Sequence, residues 1–123
     1  MRRARVISVV LGAIAGFGGG QAVAQDAAAG MQVFRQCVAC HSTNGAAGVG
    51  PTLEGVVGRK VGSVDGFRYS RAMTSASYAW DSQALDAFLA SPANALPGNV
   101  MPFAGISSAR ERADLIAYLQ TLR

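Results

Sequence analysis

Cys37-Val38-Ala39-Cys40-His41 contains both cysteines and the single histidine of a 123-residue chain, so one short stretch holds every strong thiol or imidazole ligand available. C-x-x-C-H is the attachment signature of a c-type haem. The spacing has a chemical reason. Two thiols add across the two vinyl groups of one macrocycle, and the next residue offers an imidazole to the iron from the same side. A cofactor held in this way cannot leave.

Other uses of the motif fit less well. A thioredoxin-like redox dithiol sits in a strand-to-helix context, and no strand pattern precedes Cys37. A structural zinc ion takes four Cys or His ligands, and the chain has three such residues. A Cys37–Cys40 disulfide closes a very small loop with little entropic benefit and leaves His41 without a task.

The start of the chain points to export. Met1-Arg2-Arg3-Ala4-Arg5 is a basic opening, residues 6–20 are an apolar run interrupted by glycine, and Ala22-Val23-Ala24 is an A-x-A cleavage site. The run is short for a membrane span, which needs ~20 residues. The expected organisation is a cleaved secretory signal peptide over 1–24 and one domain over 25–123. The three arginines of the leader account for most of the positive charge. Residues 25–123 carry eight basic and seven acidic side chains, a balance of +1. Nucleic acid is therefore a poor expectation as a partner, despite a sequence pI of about 9.7.

The domain of 99 residues is small and buries only ~60–65% of its unfolded surface. A covalent haem would supply the missing apolar surface. The pattern predicts an all-α fold of short helices and long loops. A first helix is expected from about Ala27 to Cys37, with Val33 and Phe34 on its apolar side and Gly30 at a close backbone crossing. Residues 44–51 and 60–67 read as loops from their glycines and Pro51. Asp81 is the expected N-cap of a middle helix that presents Leu85, Phe88 and Leu89 and ends at Pro92. Ser108-Ala109-Arg110-Glu111 is a capping box opening a last helix, with Leu115, Ile116, Leu119 and Leu122 as its stripe.

An iron with one imidazole needs a second ligand or an open face. Met101 lies in Pro97-Gly98-Asn99-Val100-Met101-Pro102-Phe103, where two prolines and a glycine fix a non-helical loop suited to presenting a thioether. A His/Met pair raises the potential of haem iron. Met73 is the weaker candidate and Met31 belongs to the first helix; a methionine in a small core is otherwise a gap filler.

From Gly30 to the C-terminus the chain resembles the mitochondrial-type class I cytochromes c and their bacterial periplasmic relatives. The resemblance rests on Gly30-x-x-x-Phe34-x-x-Cys37-x-x-Cys40-His41, Gly50-Pro51-x-Leu53-x-Gly55-Val56-x-Gly58-Arg59, Gly66-Phe67-x-Tyr69-Ser70-x-Ala72, Trp80, Pro97-Gly98-x-x-Met101-x-Phe103-Ala104-Gly105-Ile106 and Leu115-Ile116-Ala117-Tyr118-Leu119. It implies a class I cytochrome c fold, three to five short helices packed around one haem c. Cys37 and Cys40 would carry thioether bonds, with His41 and Met101 as axial ligands. The carbonyl of Pro51 would accept the other imidazole proton, and Arg59, Tyr69 and Trp80 would bond the haem propionates. Asn99 stands where a Thr is common and would serve as a further donor.

Three further departures accompany the resemblance. Met73 stands where a polar Asn is common, so this side of the haem is expected to be drier, and Phe88 replaces a Tyr whose hydroxyl bonds the methionine sulfur, a loss expected to alter the potential and loosen control of the Met101 loop. The lysines that ring the haem edge in many members are replaced by Gln36, Ala93, Asn94 and Val100. The implied function is one-electron carriage in the periplasm by a monomer with no membrane span after cleavage. Its redox partners would be a membrane oxidase or reductase, a photosynthetic centre or a periplasmic dehydrogenase. Two alternatives stand beside it: a haem enzyme or small-ligand sensor with a labile methionine, and a subunit bound stably to a periplasmic dehydrogenase.

Overall fold

The computed structural model describes residues 12–16, 18 and 25–123. The remainder of the expected leader lies outside the described residues. From Asp26 onward the domain is built of five helices: α1 (Ala27–Val33), α2 (Arg71–Ser75), α3 (Ser82–Ala90), α4 (Pro92–Ala95) and α5 (Ala109–Leu119). No strand occurs among the described residues. A single antiparallel bridge joins Lys60 to Ala79.

Capping chemistry places the helix starts. The Asp26 side chain accepts from Ala28 and Ala29 N–H at 2.9 and 3.1 Å, Asp81 from Ala84 N–H at 2.7 Å, and Ser108 from Glu111 N–H at 3.2 Å. Each satisfies a donor that the first helical turn leaves open. The first helix is shorter than the expected span to Cys37. It tightens into a 3₁₀ turn over Phe34–Gln36, because Cys37 N–H bonds Phe34 O at 2.8 Å. Pro92 both stops α3 and opens α4 at its first turn, where a missing N–H costs nothing.

The main packing is α1 across α5. Gly30 is buried at the crossing, where a Cβ would collide with the Asp114 carbonyl and lie 2.9 Å from Tyr118 Cβ. The rings of Phe34 and Tyr118 are 5.1 Å apart beside it. Asp114, 5% exposed, accepts Asp26 N–H at 2.9 Å and so ties the entry of α1 to α5. The expected stripes are buried at Leu85, Phe88 and Leu89 on α3 and at Leu115, Ile116 and Leu119 on α5, whereas Leu122 lies beyond the end of α5 and is only half-buried; Phe34, Val56, Val61, Trp80 and Ile106 complete the core. Gly30→Val would overpack the crossing at a cost of about 3 kcal/mol. Its melting temperature should fall by roughly 10–20 °C, measured by circular dichroism on the haem-loaded protein. An unchanged melt would show that the crossing relaxes freely.

Candidate cofactor site

The turn after the 3₁₀ segment sets the two cysteines and the histidine on one bend. Cys40 N–H and His41 N–H both donate to Cys37 O, at 3.1 and 2.9 Å. Both cysteines are half-buried and are not bonded to each other. Burial first, and Cys40 second, push the Cys37 thiol above its ordinary range. A redox dithiol needs the opposite shift. Among the described residues no three His, Cys, Asp or Glu side chains gather as a metal-binding group.

The His41 ring is held from two sides. Its Nδ1 lies 2.7 Å from Pro51 O. A carbonyl only accepts, so Nδ1 carries the proton and the Nε2 lone pair is left for a metal. Gly50 supports the ring face. A Cβ there would collide with Cε1 and lie 2.7 Å from Nδ1. The loop is closed by Gly50 N–H to Cys40 O at 2.8 Å and Leu53 N–H to Ser42 O at 2.9 Å.

Met101 sits half-buried against the core on a loop braced by Asn99. The Asn99 carboxamide donates to Pro92 O and Leu96 O, both at 2.8 Å, and its oxygen accepts Met101 N–H at 3.0 Å. Both amide protons are thereby engaged within the protein. Asn99 acts through the backbone of Met101 rather than by the donor role expected of it. The loop returns at Gly105, whose φ of 114° and close approach to Ala90 O exclude any side chain. Ile106 N–H then bonds Leu89 O at 2.8 Å. Arg112 fastens this end, donating to Asp86 at 2.8 Å, to Ile106 O at 2.9 Å and to Ser107 O at 3.1 Å.

Arg59, Tyr69 and Trp80 are brought together. Trp80 N–H bonds Arg59 O at 2.9 Å, and Arg59 donates to Thr52 O and Glu54 O, both at 2.9 Å. Burial lowers Arg59 from its ordinary value, and nearby Tyr69 acts in the other direction. Tyr69 accepts Val64 N–H at 3.1 Å, which leaves its own proton to donate. Trp80 is 7% exposed, and no buried side-chain nitrogen or oxygen lacks a partner among the described residues. Its indole N–H donates to no other described residue. One phenol, one indole and the remaining guanidinium hydrogens form a donor set suited to carboxylates. Phe88 packs on Trp80 with ring centroids 4.8 Å apart, placing an apolar ring where a hydroxyl was the alternative.

Thiols on one turn, a clamped imidazole, a braced thioether and carboxylate donors suit a covalently attached haem. Half-buried Leu53, Val57, Met73, Leu96 and Phe103, packed on the core, add apolar surface of the kind a macrocycle covers. The fold and donor set define a small all-α haem-bearing domain. The family model described as Cytochrome c matches residues 27–123. Cytochrome c of Trypanosoma brucei brucei is 49% identical over 85 residues, covering 69% of this chain and 91% of that one. Cytochrome c2 of Rhodomicrobium vannielii is 45% identical over 100 residues, 80% of each chain. The solved structure of cytochrome cH from Methylobacterium extorquens superposes with a TM-score of 0.76 at 46% identity, covering 78% of this chain and 98% of that one. The chain belongs to the cytochrome c family. Its fold is that of the class I cytochromes c, its cofactor is a covalently held haem c with iron, and it is an electron carrier.

Sequence reasoning did not single out Gly50 or Arg112. Gly50-Pro51 reads as a turn, and only the folded loop shows that the missing side chain makes room for an imidazole. Arg112 carries no local signal, since its partner Asp86 lies 26 residues away.

Proposed function

We propose that the protein shuttles single electrons in the bacterial periplasm after loss of residues 1–24, with Cys37 and Cys40 bearing the haem and His41 and Met101 as its axial ligands. The observation that carries this reading is the 2.7 Å contact of His41 Nδ1 with Pro51 O, which fixes the ring and leaves Nε2 as the free donor. The haem, when bound, supplies a metal centre that takes up and releases one electron. The chain's part is to hold both ligands still. Pro51 and Gly50 fix the imidazole, and Asn99 and Gly105 fix the segment that presents the sulfur. Arg59, Tyr69 and Trp80 offer donors to the propionates, whose charges would otherwise be costly to bury.

With His41 and Met101 both holding the iron, the haem would have no place for a substrate, which favours a carrier over an enzyme. The partners are respiratory or photosynthetic redox proteins or a periplasmic dehydrogenase, met as a monomer in transient contacts. Carbon monoxide decides the matter. The reduced holoprotein should bind the gas slowly or not at all, and the oxidised form should show the weak near-infrared methionine-to-iron band. Rapid binding without the band would replace the carrier by a haem enzyme or small-ligand sensor.

A further inference from the structure

At Asn44-Gly45 a carboxamide is followed by a residue with no Cβ, so the next backbone nitrogen can approach the side-chain carbon without hindrance. The other asparagines, Asn94 and Asn99, precede Ala95 and Val100, whose side chains crowd that approach. Asn44 and Gly45 are both exposed, so water reaches them. One bond of the loop favours ring closure between them. Ala46 N–H donates to Asn44 Oδ1 at 3.1 Å, drawing electrons from the carbon that would be attacked. The attacking group is held back. Gly45 N–H donates to Thr52 Oγ1 at 3.1 Å, which keeps the proton on the nitrogen and the group turned toward Thr52. That hydroxyl is itself fixed, since it also accepts Glu54 N–H at 3.2 Å. The Glu54 carboxylate acts in the same direction. A Cβ on Gly45 would lie 3.0 Å from Glu54 Oε2, and a negative charge there opposes formation of an amide anion.

We propose that Asn44 is a deamidation site that the folded loop keeps closed, with the Thr52 hydroxyl as its latch. In the reaction Gly45 N gives its proton to solvent and attacks Asn44 Cγ. A C–N bond forms, and the carboxamide nitrogen leaves as ammonia. Water then opens the cyclic imide at either carbonyl, giving an aspartyl or isoaspartyl residue at position 44. The net change consumes a water and releases an ammonia, with no oxidant or reductant. The outcome bears on the cofactor site because the pair lies between His41 and Pro51, whose 2.7 Å contact fixes the imidazole. An isoaspartyl linkage lengthens the backbone between them by one carbon, and either product adds a negative charge next to the Gly45–Glu54 contact. Thr52 is a positioning residue here: it acts by withholding a backbone nitrogen.

The test is the rate at which amide becomes acid in the holoprotein, kept in mildly alkaline buffer either folded or unfolded in urea, then cut with trypsin and weighed by mass spectrometry. Cleavage after Arg35 and Arg59 isolates Asn44 as the single asparagine of residues 36–59, while Asn94 and Asn99 share the fragment 72–110 as internal controls. In the unfolded chain, 36–59 should convert well ahead of 72–110. In the folded protein its conversion should be slower by about fivefold or more, because ring closure waits for a hydrogen bond to break. Thr52→Val should speed the folded protein's conversion by about fivefold, and Thr52→Ser, which keeps the hydroxyl, should stay within about twofold of wild type. Folded wild type that converts as fast as the unfolded chain would overturn the proposal. So would Val and Ser variants that behave alike. A rise in the Val variant that 72–110 shares would mark general loosening in place of a lost latch, and would overturn the assignment to Thr52.

Discussion

Met101→Ala should convert a closed haem centre into an open one. In the oxidised protein the near-infrared band should disappear, and in the reduced protein carbon monoxide should bind rapidly. The potential should fall by on the order of 0.1–0.3 V, because thioether sulfur stabilises the reduced iron and axial ligands command a range of ~0.8 V. Met73→Ala should leave the band in place, since Met73 belongs to α2 and packs on the core. Asn99→Ala separates holding from ligating. It removes the acceptor for Met101 N–H and the ties to Pro92 and Leu96 but keeps the sulfur. The band should persist while carbon monoxide binding quickens by about tenfold, the equivalent of about 1.4 kcal/mol lost from the closed loop. If Met101→Ala keeps the band, another residue holds the iron.

The residues that make bonds to near neighbours were legible. Asp81 and Ser108 cap their helices because each accepts an N–H three residues ahead, and the period of Leu85, Phe88, Leu89 or Leu115, Ile116, Leu119 marks a buried face. The C-x-x-C-H turn is a local pattern too. What the sequence hid depends on contacts far along the chain or on elements too short to show a period. Helices α2 and α4 have five and four residues, about one turn, and Pro92 reads as a stop although it also begins α4. The bond from Asp26 to Asp114 spans 88 positions. The resemblance gave Asn99 a donor role because it stands where a Thr is common, yet two nearby carbonyls take both its amide protons. A side chain's capacity is readable from sequence, but its allocation depends on the neighbours the fold supplies.

Changing Cys37 and Cys40 together to Ala should cost the domain its cooperative fold. Among the described residues eleven apolar side chains form the buried core, and twelve more pack against it only partly buried, among them Leu53, Val57, Met73, Met101 and Phe103. A domain of this size is marginal even with good packing. A binding energy available only to the native state adds directly to its stability, and a covalent group cannot be diluted away. With the thiols gone, the polypeptide keeps its caps and the α1–α5 crossing, but the half-buried set stays in contact with water. The double variant should show no sigmoidal melt and little near-ultraviolet circular dichroism. Wild type, after acid-acetone extraction, should keep its haem and weigh one haem more than the chain from Gln25. Either single variant should retain at most one thioether bond and melt below wild type. A double variant that melts cooperatively near the wild-type temperature would show that α1, α3 and α5 form a sufficient core by themselves, and that the haem is held by the fold without holding it together.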